Sequence, residues 1–345
     1  MSLTTQKLSI GYPNKGVERL IAREIDLSLT AGKLTAILGR NGSGRSTLIR
    51  TLAGLLPPLS GKVMLKNKDI REWQSAVLSK QMAVVLQEPL RNPNMTVHEF
   101  VALGRIPYTN WFGTLSKEDN KVVLESIGKA GIPELSERGT HLLSDGERQK
   151  AAFARALAQE TPLIILDEPT AFLDILSRIE LIQMLRKTAH FESKSVLFST
   201  HDLELALQMS DEIWLFDGKG AVLKGTPEDL VLQGHIGQLY SRPGKWGFDI
   251  ASGEIVAPAS PPRRKTVHLS GEGTTYLWTK KALVRTGYII TDNDKSDCSV
   301  RIEKNELSTR WVILQNKEEM QIAENIAGLL NLLQERSKPI QFPGT

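Results

Sequence analysis

An α/β fold built on a parallel sheet is predicted by three short apolar runs, each stopped by a polar or glycine residue. They are Leu34-Thr35-Ala36-Ile37-Leu38 before Gly39, Leu163-Ile164-Ile165-Leu166 before Asp167, and Ser195-Val196-Leu197-Phe198-Ser199 before Thr200-His201. Runs apolar on both faces read as strands covered by helices on both sides. Helical patterns lie at 47–55, 145–159 and 173–189, and this alternation of strand and helix defines the class. Segments 3–30 and 60–66 read as short strands joined by turns, with a turn-rich break at Gly11-Tyr12-Pro13-Asn14-Lys15-Gly16. Residues 96–132 read as helix, interrupted near 106–114.

The chain has 345 residues, which at about 150 residues per domain predicts one large and one small domain. It is 41% hydrophobic and 24% charged, which excludes disordered, collagen-like and disulfide-rich classes. Cys298 is the single cysteine, so no intrachain disulfide forms and a reduced thiol is expected. Lys and Arg number 43 against 39 Asp and Glu, a net charge of +4 spread evenly along the chain. A nucleic-acid binder gathers its basic residues into a stripe, and none is present. Arg263-Arg264-Lys265 reads as a solvated linker edge. Met1–Gln6 has no basic segment followed by an apolar one, so no secretory signal is expected. No stretch reaches about 18 consecutive apolar residues, so membrane work would come through a partner.

Composition shifts near residue 250. Residues 1–250 form the expected large domain, and 251–265, with Ala257-Pro258-Ala259-Ser260-Pro261-Pro262, an extended linker. Residues 266–345 form a small α+β domain. Strands are expected at 266–269, 288–291, 298–303 and 311–315, and helices at 276–286 and 318–335. His268 and Cys298 are too isolated there to read as metal ligands.

The strongest local signal is Gly39-Arg40-Asn41-Gly42-Ser43-Gly44-Arg45-Ser46-Thr47, after a buried strand and before a helix. Glycines allow a tight loop whose backbone N–H groups face phosphate oxygens, and the helix start adds about half a positive charge. Ser46 is placed to ligate Mg²⁺. The phosphate-loop pattern asks for lysine where this chain has Arg45, which keeps the charge but is larger and planar. Nucleotide binding is therefore expected, with slowed hydrolysis.

Asp167 and Glu168 end a buried strand about 120 residues downstream of that loop. Asp167 suits a Mg²⁺ shell and Glu168 suits polarising an attacking water. Between lies Leu143-Ser144-Asp145-Gly146-Glu147-Arg148-Gln149, which taken alone is a helix start capped by Ser144 or Asp145.

Taken in order, Tyr12, Gly39–Thr47, Gln87, Leu143–Gln149, Leu163–Glu168, Asp174 and His201 resemble the ATP-binding subunit of an ABC transporter across about 3–240. The resemblance implies a P-loop NTPase cassette: a parallel-sheet core, an antiparallel β subdomain and a helical subdomain at about 90–160. Leu143–Gln149 resembles the LSGGQ signature, with Asp145 at the first glycine position and Glu147 at the glutamine. Ser144 and Gly146 would contact the γ-phosphate held by a second subunit, with the Asp145 carboxylate facing away. By the same resemblance Tyr12 stacks on adenine, Gln87 senses Mg²⁺ and water, Asp174 lies at the dimer seam, and His201 touches the γ-phosphate. Thr96-Val97-His98-Glu99 with Ala102-Leu103-Gly104-Arg105-Ile106-Pro107-Tyr108 resembles importers of iron chelates, haem or cobalamin.

The implied assembly is a homodimer of ATP-binding subunits on the cytoplasmic face of the membrane. It binds ATP and Mg²⁺, docks permease subunits and acts indirectly with a solute-binding protein, without nucleic acid. Two other readings stay open: a hydrolysis-impaired nucleotide-binding subunit, and a soluble ABC ATPase outside transport.

Overall fold

The apolar runs become the middle of a six-stranded sheet. The computed structural model describes residues 3–13, 19–87, 95–110, 113–242, 245–256, 266–291, 296, 298–305, 308–315 and 318–335. The proline-rich segment 257–262 and Arg263–Lys265 lie outside the described residues. The chain divides into two units, Met1–Tyr240 with Ile250–Glu254, and Ser241–Asp249 with Ile255–Thr345.

The first unit opens with β1 (Leu3–Tyr12), β2 (Arg19–Ile25), β3 (Leu34–Leu38), α1 (Arg45–Leu52), β4 (Ser60–Leu65), β5 (Lys68–Asp69), α2 (Ser75–Leu78) and β6 (Met82–Val85). Helices α3 (Val97–Ala102), α4 (Lys117–Lys129) and α5 (Asp145–Ala158) follow. Next come β7 (Leu163–Leu166), α6 (Ile175–Phe191), β8 (Ser195–Thr200), α7 (Leu203–Met209), β9 (Glu212–Phe216) and β10 (Val222–Gly225). The unit then closes with α8 (Pro227–Leu232) and α9 (His235–Tyr240). The main sheet runs β10-β9-β3-β8-β7-β6, parallel except for the antiparallel edge β10. A second, antiparallel sheet runs β2-β1-β4-β5. Between the sheets, Leu8, Ile10, Ile25, Leu48, Ile49, Leu52, Val63 and Trp214 share one core. Every residue of β3, β7, β8 and β9 is buried, which is why β3, β7 and β8 read as mainly apolar runs.

Three helices of the 90–160 segment start on the same device. Thr96 with Glu99, Ser116 with Asp119 and Ser144 with Glu147 each exchange side-chain and backbone bonds as capping boxes. The 3₁₀ turn Leu103–Tyr108 is pressed against α5, where a side chain on Gly104 would strike the Arg155 carbonyl. Buried Arg105 donates to Asp119 Oδ1 (2.9 Å), Ala158 O (2.8 Å) and Glu160 Oε2 (2.6 Å), and stacks 4.1 Å from the Tyr108 ring. Hydrogen bonds from Ser116, with the Arg105 guanidinium, hold the Asp119 carboxyl down to about 2. A depressed carboxyl contributes stability above its unfolded pKa and loses it as pH falls through the folded one. Melts of the protein are therefore expected to lose this contribution between pH 4 and pH 2, and Asp119→Asn to flatten that part of the profile. Arg105→Ala strands the carboxylate among buried groups and is expected to cost about 3 kcal/mol at neutral pH.

The second unit has a two-stranded ribbon, β11 (Gly247–Asp249) and β12 (Glu254–Val256), and then β13 (Thr266–Ser270), α10 (Gly273–Arg285), β14 (Ile289–Thr291) and β15 (Cys298–Lys304). It ends with β16 (Thr309–Gln315), β17 (Glu318–Ala323) and α11 (Ile326–Glu335). Its five-stranded sheet runs β14-β13-β15-β16-β17, with β13 parallel to both neighbours and the rest antiparallel. Val267, Leu283, Val300, Trp311, Ile313, Leu329 and Leu333 form the core of this unit. The expected single helix at 318–335 is corrected here: 318–323 is a strand and the helix begins at Ile326. Pairing with β16 claims the first half, and Asn325 Oδ1 caps the second by accepting from Gly328 N at 2.7 Å. Tertiary pairing outweighs local helical spacing.

Candidate functional site

The loop after β3 is shaped by its glycines. Gly44 sits at φ +106 as the start of α1, and a side chain there would run into Ile21. A Cβ on Gly39 would lie 2.6 Å from Ser43 Oγ. No side chain caps the first turn of α1, so its N–H groups face the loop. Gly42 is at φ +78, and Arg40 and Asn41 are exposed on the loop. Ser43 Oγ and Arg45 Nε are buried and have no partner. Buried orphan donors around a glycine cradle fit an anionic ligand such as phosphate.

Arg45 is buried despite its charge. Its guanidinium donates to Gly39 O, lies 3.5 Å from Asn41 Oδ1 and pairs with Glu168 Oε1. The other Glu168 oxygen, Oε2, is 2.8 Å from His201 Nδ1. Glu168 itself occupies the left-handed backbone region at φ +49. Beside it, Ser46 Oγ donates to Asp167 Oδ1 at 3.1 Å, two hard oxygens of the kind Mg²⁺ takes. Tyr12, at the end of β1, places its hydroxyl 3.2 Å from Thr47 Oγ1. Gln87 is exposed two residues beyond β6. Thus Tyr12, Gly39–Thr47, Asp167, Glu168 and His201 converge, although sequence separates them widely.

Ser144, Gly146, Glu147 and Asp174 make a different group. Ser144 caps α5, accepting from Glu147 N, while Glu147 Oε2 accepts from Ser144 N at 2.7 Å. Those bonds, the Ser144 backbone first, hold the Glu147 carboxyl low. A Cβ on Gly146 would sit 3.4 Å from Ser177 Oγ, which donates to Asp174 Oδ2 at 2.6 Å. Asp174 caps α6, and the Ser177 bonds lower its carboxyl. Asp145 is held by Arg148 at 2.6 Å. Among the described residues, no hydrogen bond joins Ser144, Gly146 or Glu147 to the phosphate loop.

Two residues escaped the sequence reading. Ser199 Oγ donates to Asp167 Oδ1 at 2.7 Å and accepts from Glu168 N at 2.8 Å, so it fixes both acids. Its signal was the polar end of the run Ser195–Ser199. The Tyr240 hydroxyl is buried without a partner. Burial pushes its phenol up to about 12, against the opposing charges of Arg45 and Arg40. Nothing in the local sequence marks it.

This geometry has close counterparts. The ABC transporter family profile matches residues 22–171, and the iron ABC transporter C-terminal domain profile matches 264–334. An uncharacterized ABC transporter ATP-binding protein of Methanocaldococcus jannaschii is 37% identical over 286 residues, covering 83% of this chain and 97% of the relative. The petrobactin import ATP-binding protein FpuD of Bacillus anthracis is 36% identical over 230 residues, covering 67% and 83%. The cobalamin import ATP-binding protein BtuD of Halobacterium salinarum is 32% identical over 272 residues, covering 77% and 68%. A bacterial ABC transporter cassette solved as a dimer superposes with a TM-score of 0.58 at 26% identity, covering 65% of this chain and 98% of that one. With a phosphate cradle after β3, an acidic pair at the end of β7 in the same sheet and relatives matched over most of their length, the chain belongs to the ABC transporter ATP-binding proteins, a family of ATPases.

Proposed function

We propose that the chain is the ATP-binding subunit of an importer for an iron chelate, haem or cobalamin. It would work as a homodimer on the cytoplasmic face of the membrane, docked to permease subunits that receive solute from a binding protein. The observation that carries this reading is the separation of two half-sites. Gly39–Thr47, Asp167, Glu168 and His201 make one wall around a nucleotide, whereas Ser144 and Gly146 lie apart from it. A second copy would bring its own Ser144 and Gly146 against the γ-phosphate. Two ATP molecules then join two subunits, and loss of the γ-phosphate releases them.

Within each half-site, the Gly39–Ser46 backbone and Arg45 hold phosphates, and Tyr12 stacks on the base. Ser46, Asp167 and Gln87 would hold Mg²⁺, which supplies charge neutralisation to the phosphates when bound. Glu168 orients and deprotonates water, with His201 beside it and Ser199 fixing the acids. Among the described residues no helix is long and apolar enough to cross a membrane, consistent with a subunit that borrows its channel. The match of residues 264–334 to an iron transporter domain and the petrobactin and cobalamin relatives support the solute class.

A second reading is favoured by the Arg45–Glu168 pair: a subunit that binds nucleotide and closes but turns over slowly. Uptake by cells lacking this gene, complemented with the full chain, tests the main reading. Restored uptake of a ferric siderophore, haem or cobalamin, with copurification of a permease, is expected. Sedimentation with ribosomes and no uptake of any of the three would overturn it in favour of a soluble ATPase.

A further inference from the structure

Arg45 and Glu168 are 123 residues apart in sequence, yet each holds the other's functional group. Their side chains are 7% and 12% exposed, so the pair is largely removed from water. One Arg45 nitrogen is committed to Gly39 O and another to Glu168, leaving Nε as its unpartnered donor. Glu168 is committed at both oxygens, one to Arg45 and one to His201. Each oxygen of the carboxylate is thus already engaged, and the bond to the Arg45 guanidinium lowers its basicity toward water. The cradle is thus crossed by a salt bridge between the residue meant for phosphate and the residue meant for water.

We propose that Arg45 is a latch on Glu168, which nucleotide phosphates open by drawing the guanidinium to themselves. This deepens the nucleotide-binding reading and rests on it. A phosphate group offers more charge and more acceptor oxygens than a carboxylate, so it competes well for a planar fork donor. The exchange ties two events together: phosphates that draw off the terminal Arg45 nitrogens free Glu168. A competitor inside the pocket also weakens nucleotide binding by the fraction of molecules it keeps closed. Lysine, a compact point charge, lacks the two separate fork nitrogens that reach Gly39 O and Glu168 here, and so holds the carboxylate less firmly. The latch is therefore specific to arginine at this position.

The test is titration of MgADP into the full chain by calorimetry, because ADP lacks the γ-phosphate needed for sandwiching and hydrolysis. Glu168→Gln removes the competing charge and is expected to tighten MgADP binding about tenfold. Removing any negative charge near phosphate also tightens binding, so the same substitution is made beside Arg45→Lys. A distinctly smaller gain there supports the latch. Equal gains in both backgrounds, or no gain in either, overturn it while leaving nucleotide binding intact. Failure of every protein to bind MgADP overturns both. Glu168→Ala, with the same expected direction, serves if the glutamine variant does not fold.

Discussion

Glu168→Gln is expected to keep ATP bound while slowing its hydrolysis by about 10²- to 10⁴-fold, the range that general-base catalysis contributes. The amide has the shape of the carboxylate, and its single oxygen can accept from His201 while the bond to Arg45 is given up. What it lacks is the ability to take a proton from water. The same change removes the release step, so ATP should hold two copies together. Steady-state phosphate release measures the first effect, and sedimentation with Mg-ATP the second. A loss below tenfold would place the proton acceptor elsewhere in the site. Because the chain as it stands is expected to be slow, the comparison is sharpest in the Arg45→Lys background.

Arg45→Lys is expected to raise ATP turnover by up to about 100-fold. An ångström of misplacement at a reacting phosphate costs on this scale. Arginine is long and planar, and here it reaches past the cradle to Glu168. A lysine ammonium at the same position is compact and can sit between the outer phosphates. The substitution would also release Glu168 Oε1, the oxygen that Arg45 holds. Equal, fast turnover by the two proteins would show that Arg45 imposes no restraint.

Much of the fold was legible because burial on both faces leaves a plain record. β3, β7 and β8 are fully buried, and their sequences centre on apolar runs. The loop and the acidic pair stood out for a similar reason: Gly39, Asp167 and His201 directly follow such runs, and Ser144 and Asp174 are helix caps, where turn chemistry is local. Legibility ended where distant contacts decide. Residues 318–323 carry helical spacing but take a strand's form, because β16 offers them a partner. Ser199 looks like an ordinary strand end until Asp167 and Glu168 are beside it. The Arg45–Glu168 pair could not be read at all, since the two residues lie 123 positions apart and only the fold brings them together.

Position 168 sets chemistry against folding. A backbone angle of φ +49 suits glycine and costs a larger residue about 1–3 kcal/mol. Drift toward greater robustness alone would thus favour glycine over the carboxylate at this position. If Glu168 serves hydrolysis as proposed, a descendant freed from that need would have an easy route to a tougher, inert scaffold.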